Sequence, residues 1–259
     1  MVAPLFDSRK TLTRAEAREV YDGFARKGHI GGQDAGGGYG GPAVQALLTM
    51  AAFANAGSVL EFGCGGAKLA EAALTEHREL EWRAVDMSCA QLENARARMS
   101  RFGTRFSCEL LEEGDPAAVT VSEPVDRFVS TYVLDLLNEG DMMGVIDAAE
   151  RCLDPHRGIL LLAGITWGYQ GEAATVRTFL MTMLWEVLYK IRPRTVGGCR
   201  PQLLGPYLEE RGWRIVSIER TSPDGFPWMA SEVLSARPPL ACASGVGSSQ
   251  RETERGFGL

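Results

Sequence analysis

Histidine is scarce in this chain, with three among 259 residues, at His29, His77 and His156. The six cysteines (64, 89, 108, 152, 199 and 242) never stand as C-x-x-C. Metal-ligand spacing and a disulfide framework are therefore both missing, and no metal site is expected. No apolar run approaches the roughly 18 residues of a membrane span, and the N-terminus carries acids early and has no apolar leader core. Neither a membrane partner nor export is expected, and reduced buried thiols fit a cytoplasmic protein. Basic residues are also in short supply, with 27 Lys and Arg against 33 Asp and Glu, a net charge of −6. That balance argues against a nucleic-acid partner. Apolar content of 45% and charged content of 23% are those of an ordinary soluble globular protein.

The most informative stretch is Ser58-Val-Leu-Glu-Phe-Gly-Cys-Gly-Gly-Ala-Lys-Leu-Ala-Glu-Ala-Ala-Leu74. Val59, Leu60 and Phe62 read as a buried strand, Gly63, Gly65 and Gly66 as a tight turn, and Lys68 to Leu74 as a helix with an apolar stripe. Strand, glycine turn and helix in that order present backbone N–H groups to a ligand at a helix N-terminus. A dinucleotide fingerprint would want glycine where Lys68 stands, and Glu61 would repel a pyrophosphate but suits the ammonium of an amino-acid-bearing cofactor. A glycine turn joining any strand to any helix is the plainer alternative.

Downstream, Glu81 to Asp86 reads as a second strand, and Ser88 caps a helix from Cys89 to Met99. Asp86 lies roughly 20 residues past the glycine turn, where a carboxylate can accept both hydroxyls of a ribose, or can simply cap the next helix. Arg105 to Leu111 is a third strand, followed by the acids Glu112, Glu113 and Asp115. Phe128-Val129 is a fourth strand preceded by Asp126, and Ser130, Thr131 and Tyr132 fall at its carboxyl end, the ligand edge of an open α/β sheet. A helix from Asp141 to Cys152, a turn at 153–158 and a fifth strand from Ile159 to Ile165 follow. His156 falls at the opposite edge and is a poor catalytic candidate.

Thr13-Arg-Ala-Glu16 fits a capping box, which predicts a helix over Ala15 to Ala25. The glycine-dense run His29 to Gly41 reads as a lid with Gln33, Asp34 and Tyr39 embedded in it, or as a flexible linker. A helix from Ala43 to Ala56 leads into the first strand. Beyond strand five, Glu172 to Ile191 is a helix apolar around more than one stripe, which suits a cap over a substrate. A helix over Gln202 to Arg211, ended by Gly212, and a terminal hairpin (213–220 and 227–236) complete the pattern. Residues 238–259 read as a disordered tail. The expected organisation is an N-terminal helix and lid (1–41), a cofactor domain (42–237) with a cap at about 166–200, and the tail.

Glu61-Phe-Gly63-Cys-Gly65-Gly-Ala67 resembles motif I of the class I S-adenosylmethionine (SAM) methyltransferases, E/D-x-G-x-G-x-G, with alanine in place of the last glycine. Val85-Asp-Met-Ser88 is similar to that family's second motif, and Leu153-Asp-Pro-His-Arg-Gly158 to its L-x-P-G-G turn. The resemblance implies an α/β, doubly wound, mostly parallel seven-stranded sheet of Rossmann-like order 3-2-1-4-5-7-6. It implies SAM as cofactor, held by Glu61, Gly63, Cys64, Gly65, Asp86, Met87, Glu113, Ser130, Thr131 and Tyr132. The run Phe128 to Leu137 looks most like small-molecule enzymes of the quinone-pathway kind. The reaction implied moves a methyl group to an O, N or S atom of a small molecule by in-line displacement. His29 is the candidate base, with Tyr21 and Tyr169 as positioning groups. Cys199-Arg200 is a candidate for an anionic substrate group, with a structural loop arginine as the alternative, and Tyr21, Phe24, Trp167, Tyr169 and Trp185 suggest a flat or apolar acceptor, or an aromatic cage for a cation. Alternatives are a catalytically silent SAM-fold binding or regulatory protein, and a nicotinamide dehydrogenase, which Lys68 and Glu61 oppose. Self-association as a homodimer is compatible with all of these.

Overall fold

A computed structural model of the chain describes residues 11–26, 41–167, 176–221 and 229–239. His29, Gln33, Asp34, Tyr39, Tyr169 and residues 240–259 lie outside the described residues. Seven strands form one sheet in the order β3-β2-β1-β4-β5-β7-β6. They are β1 (Ser58–Phe62), β2 (Glu81–Asp86), β3 (Phe106–Leu110), β4 (Arg127–Thr131), β5 (Ile159–Thr166), β6 (Arg214–Thr221) and β7 (Ala230–Arg237). β1 to β5 run parallel and β7 antiparallel to both neighbours, as expected from the sequence.

The helices are α1 (Arg14–Arg26), α2 (Pro42–Ala51), α3 (Lys68–Glu76), α4 (Cys89–Met99), α5 (Glu139–Cys152), α6 (Val176–Ile191) and α7 (Leu204–Glu210). Strands buried on both faces need a helical layer on each side. One face of the sheet packs Val59, Trp82 and Val129 against Leu47 of α2, Leu69 of α3 and Leu92 of α4. The other packs Leu60, Phe128 and Leu162 against Met142 and Ile146 of α5 and Leu208 of α7.

Caps set the helix starts that place the site. The Thr13 N–H donates to Glu16 Oε2 at 2.9 Å and the Glu16 N–H returns to Thr13 Oγ1 at 3.3 Å, the reciprocal capping box that starts α1. Ser88 Oγ accepts the Gln91 N–H at 3.2 Å at the head of α4. α5 begins two residues earlier than its apolar period suggests, because Asn138 Oδ1 accepts the Asp141 N–H at 2.9 Å. α2 stops at Ala51, short of the expected Ala56, where Ala52 turns left-handed at φ 45°.

Candidate active site

The carboxyl ends of β1, β2 and β4 open into a cavity of about 410 Å³ roofed by α1. That size is within the range of small-molecule and cofactor sites. Its floor is the turn between β1 and α3. The Gly63 and Cys64 N–H groups both point to Val85 O, at 2.8 and 3.3 Å, so the turn hangs on the end of β2. Gly63 has φ +78°, and a Cβ there would lie 2.4 Å from Val133 Cγ2. Only a residue without a side chain lets β1 leave the sheet so close to the exit of β4. Ala67, in the place of the motif's last glycine, holds the left-handed φ of 57° that glycine would adopt more freely, and it is fully buried.

Asp86 ends β2 against this turn. Its Oδ2 accepts the Gly65 N–H at 2.8 Å and its Oδ1 the Ser88 N–H at 2.9 Å. Burial pushes this carboxyl up, and the backbone bonds from Ser88 and Gly65 work in the opposite direction. Gln91, one turn into α4, also faces the cavity, and its buried Oε1 has no hydrogen-bond partner among the described residues. An unpartnered acceptor beside a carboxylate and a glycine turn is a donor-hungry corner, suited to ribose hydroxyls or an ammonium.

The sequence-derived candidates separate into groups. Gly63, Cys64, Gly65, Asp86, Met87, Thr131, Tyr132 and Tyr21 all stand on the cavity wall. Glu61, Ser130 and Glu113 do not. Glu61 shares its sheet face with Val59, and fully buried beneath the turn it accepts the Trp82 Nε1–H on Oε2 at 2.9 Å. Burial pushes it up to about 8, against a lowering by the Trp82 bond. Ser130 is a strand-to-strand tie, its hydroxyl donating to Phe62 O at 2.9 Å. Glu113 is exposed in a left-handed turn, and Leu111 and Gly114 take the wall on either side of it. The Tyr132 hydroxyl lies 2.8 Å from Ser231 Oγ. Arg200 does not face the cavity either: its Nη2 donates to Leu137 O at 2.6 Å and its backbone N–H to Asp135 O at 2.9 Å. These two bonds clasp the loop before α7 to the turn after β4. Neither His77 nor His156 lines the cavity.

α1 supplies further wall residues beside Tyr21. Arg14 holds the helix down with Nε to Asp141 Oδ2 at 3.1 Å and Nη2 to Oδ1 at 2.5 Å. Asp22 accepts from Ser88 Oγ, and Arg194 reaches Glu19 at 3.1 Å. Leu12, Ala17 and Phe24 then face Leu136, Val196 and Trp185 across an apolar chamber next to the glycine turn. Trp185 is fixed by its Nε1–H to Cys199 O at 3.0 Å.

Residues 59–156 match the family model described as a methyltransferase domain. No curated protein matches the chain in sequence. Among solved structures the chain is similar to the 4+2 cyclase SpnF, with 16% identity, 89% of this chain and 98% of that one covered, and a TM-score of 0.63. It is also similar to magnesium protoporphyrin IX methyltransferase from Synechocystis PCC 6803 with bound S-adenosylhomocysteine (17%, 87% and 99%, 0.60). A third is the N-methyltransferase NodS from Bradyrhizobium japonicum WM9 with the same product (14%, 77% and 89%, 0.55). The family match spans residues 59–156, from β1 to just past α5, and the solved structures share the fold of the chain.

Proposed function

We propose that this protein transfers a methyl group from SAM to an uncharged, largely apolar small molecule held between the glycine turn and α1. The observation that carries this reading is the division of one cavity. A polar end is made by Gly65, Asp86 and Gln91, and an apolar end by Leu12, Phe24, Leu136 and Trp185. Gly63, Cys64, Gly65, Asp86, Met87, Gln91 and Thr131 would hold SAM, which when bound supplies a sulfonium-activated methyl group. The residues at the apolar end align the acceptor and exclude water, and alignment alone accounts for much of a displacement rate.

The wall of the apolar end has one cation, Arg14, and Asp141 already occupies it. An anionic acceptor would therefore lack a counter-ion there among the described residues. The five described cysteines are free, which accords with a cytoplasmic setting. No described helix is long and apolar enough to cross a membrane.

The test is a mixed panel of phenols, amines and thiols incubated with protein and methyl-labelled SAM. Label in a neutral apolar acceptor supports the reading. Binding of S-adenosylhomocysteine with no transfer to any member would favour a silent binding protein.

A further inference from the structure

Helix α6 is amphipathic the wrong way round. Its buried stripe is polar: Thr182 is fully covered, Glu186 is 7% exposed and Tyr189 5%. Its outward stripe is apolar, with Leu180, Leu184, Val187, Leu188 and Ile191 between 36% and 69% exposed. A surface helix of a globular protein turns its apolar side to the core and its charged side to water. α3 and α5 follow that rule, burying Leu69 and Leu74 in one and Met142, Val145 and Ile146 in the other. Trp185, on the inner side of α6, lines the apolar chamber, and its Nε1–H to Cys199 O ties the helix to the loop beyond it. The contacts that hold α6 in place thus leave its apolar face outside.

The spacing along that face says what fits it. Leu180, Leu184, Val187 and Ile191 stand four, three and four residues apart, the a/d spacing of a seam between two helices. A lipid surface suits instead a broad apolar face opposite a polar face rich in cations. The face opposite this seam is buried and carries Glu186. The order four, three, four reads the same from either end, so a second copy laid antiparallel about a two-fold axis meets the seam in register. Leu180 then faces Ile191 of the second copy and Leu184 faces its Val187, each contact being made twice. Antiparallel pairing also keeps the exposed cations Lys190 and Arg192 of the two copies apart, where a parallel pair would set like charges side by side. The five side chains expose on the order of 400–500 Å² in each copy, so a pair with its flanking residues buries about 1,000 Å², the size at which an interface becomes specific.

We propose that the outward face of α6 is the interface of a two-fold homodimer, in which the α6 helices of two copies cross antiparallel at Leu184 and Val187. The body of each copy lies on the inner side of its own helix, so the two cavities stand on opposite sides of the paired helices. Each α6 is then packed on both faces, apolar against apolar at the axis and polar against its own domain. The surface lies outside the cavity, and the proposal stands whether or not the domain transfers methyl groups.

The experiment is sedimentation equilibrium of the full chain at micromolar concentration, for wild type, Leu184→Glu and Val187→Lys. Wild type is expected to be a dimer and each variant a monomer. Circular dichroism should not change, because both positions are about half exposed. Each single change enters the two-fold interface twice and sets a charge against an apolar side chain, with nothing there to pair it. Mixing the two variants should rebuild a one-to-one heterodimer, in which one contact carries opposite charges and the other keeps its native pair. A parallel pair would not give that rescue, since it sets position 184 against 184 and 187 against 187. If either variant loses its fold, Leu184→Ala and Val187→Ala must each weaken dimerisation by about tenfold or more. A wild type that stays monomeric, alone or with anionic lipid vesicles, overturns the proposal. So does a dimer that survives both substitutions, or a mixture of the two variants that stays monomeric.

Discussion

The Gly65 amide donates to Asp86 Oδ2 at 2.8 Å, locking the glycine turn of β1 to the end of β2. One carboxylate thereby shapes the turn and faces the cavity that the turn floors. Asp86→Ala releases the turn and removes the acceptor together. Hydrogen bonds to an ionised group contribute about 1.5–3 kcal/mol, so S-adenosylhomocysteine affinity is expected to fall by about tenfold to a hundredfold. Asp86→Asn, which keeps one oxygen for Gly65, is expected to lose less. Calorimetric titration measures both, and equal affinities across the three proteins would contradict the arrangement.

Gly63 is held to hydrogen by sterics on two counts, a left-handed φ of +78° and the Val133 side chain 2.4 Å from where a Cβ would go. Gly63→Ala is expected to destabilise the fold by on the order of 1–3 kcal/mol from overpacking, with roughly 1–2 kcal/mol more from the backbone. Adding Val133→Ala should restore the packing part and not the backbone part. Urea denaturation of the single and double variants reads the difference.

Glu61 gives the fold a pH dependence with a definite sign. Its carboxyl titrates near 4.5 when unfolded and near 8 in the folded chain, where burial holds it neutral against Trp82. Between those values the folded state keeps a proton that the unfolded state has lost. Its contribution to stability is therefore complete at low pH and declines as pH rises toward 8. Glu61→Gln preserves an acceptor for Trp82 and abolishes the titration. The melting temperature of the variant minus that of wild type should grow from about pH 5 to about pH 8.5. Asp135 shifts in the same direction in both proteins and cancels from the difference. A constant difference would contradict the assignment.

Arg14 fastens the roof. Its side chain is one-third exposed, so the pair with Asp141 is partly screened and contributes about 1 kcal/mol at most. Arg14→Ala is expected to raise KM for the acceptor severalfold while kcat and cofactor affinity stay near wild type. Amide exchange in α1 should rise in parallel. A change confined to kcat would contradict a roofing role.

The elements that organise the fold were legible because their signals are local. The capping box at Thr13 and Glu16, the strand-turn-helix at Ser58 to Leu74, and the acid closing β2 each specify structure within a few residues. Motif position does not say which sheet face a strand residue occupies: Glu61 lies beneath the turn, where Oε2 accepts from Trp82 on the neighbouring strand and Oε1 has no partner among the described residues. The Ser130 hydroxyl, on the next strand, donates to Phe62 O. Arg14 is not legible locally because its partner Asp141 lies 127 residues along the chain, and Gln91 because the cavity it faces is assembled from several separate elements.

The central claim is that the carboxyl ends of β1 and β2 form a site for an amino-acid nucleoside rather than for a dinucleotide. Its most direct test is calorimetric titration of the wild-type protein with S-adenosylhomocysteine and, separately, with NAD. The account predicts one-to-one binding of S-adenosylhomocysteine, lost in Gly63→Ala, and no heat with NAD. Binding of NAD, or S-adenosylhomocysteine affinity indifferent to Gly63→Ala, would contradict it.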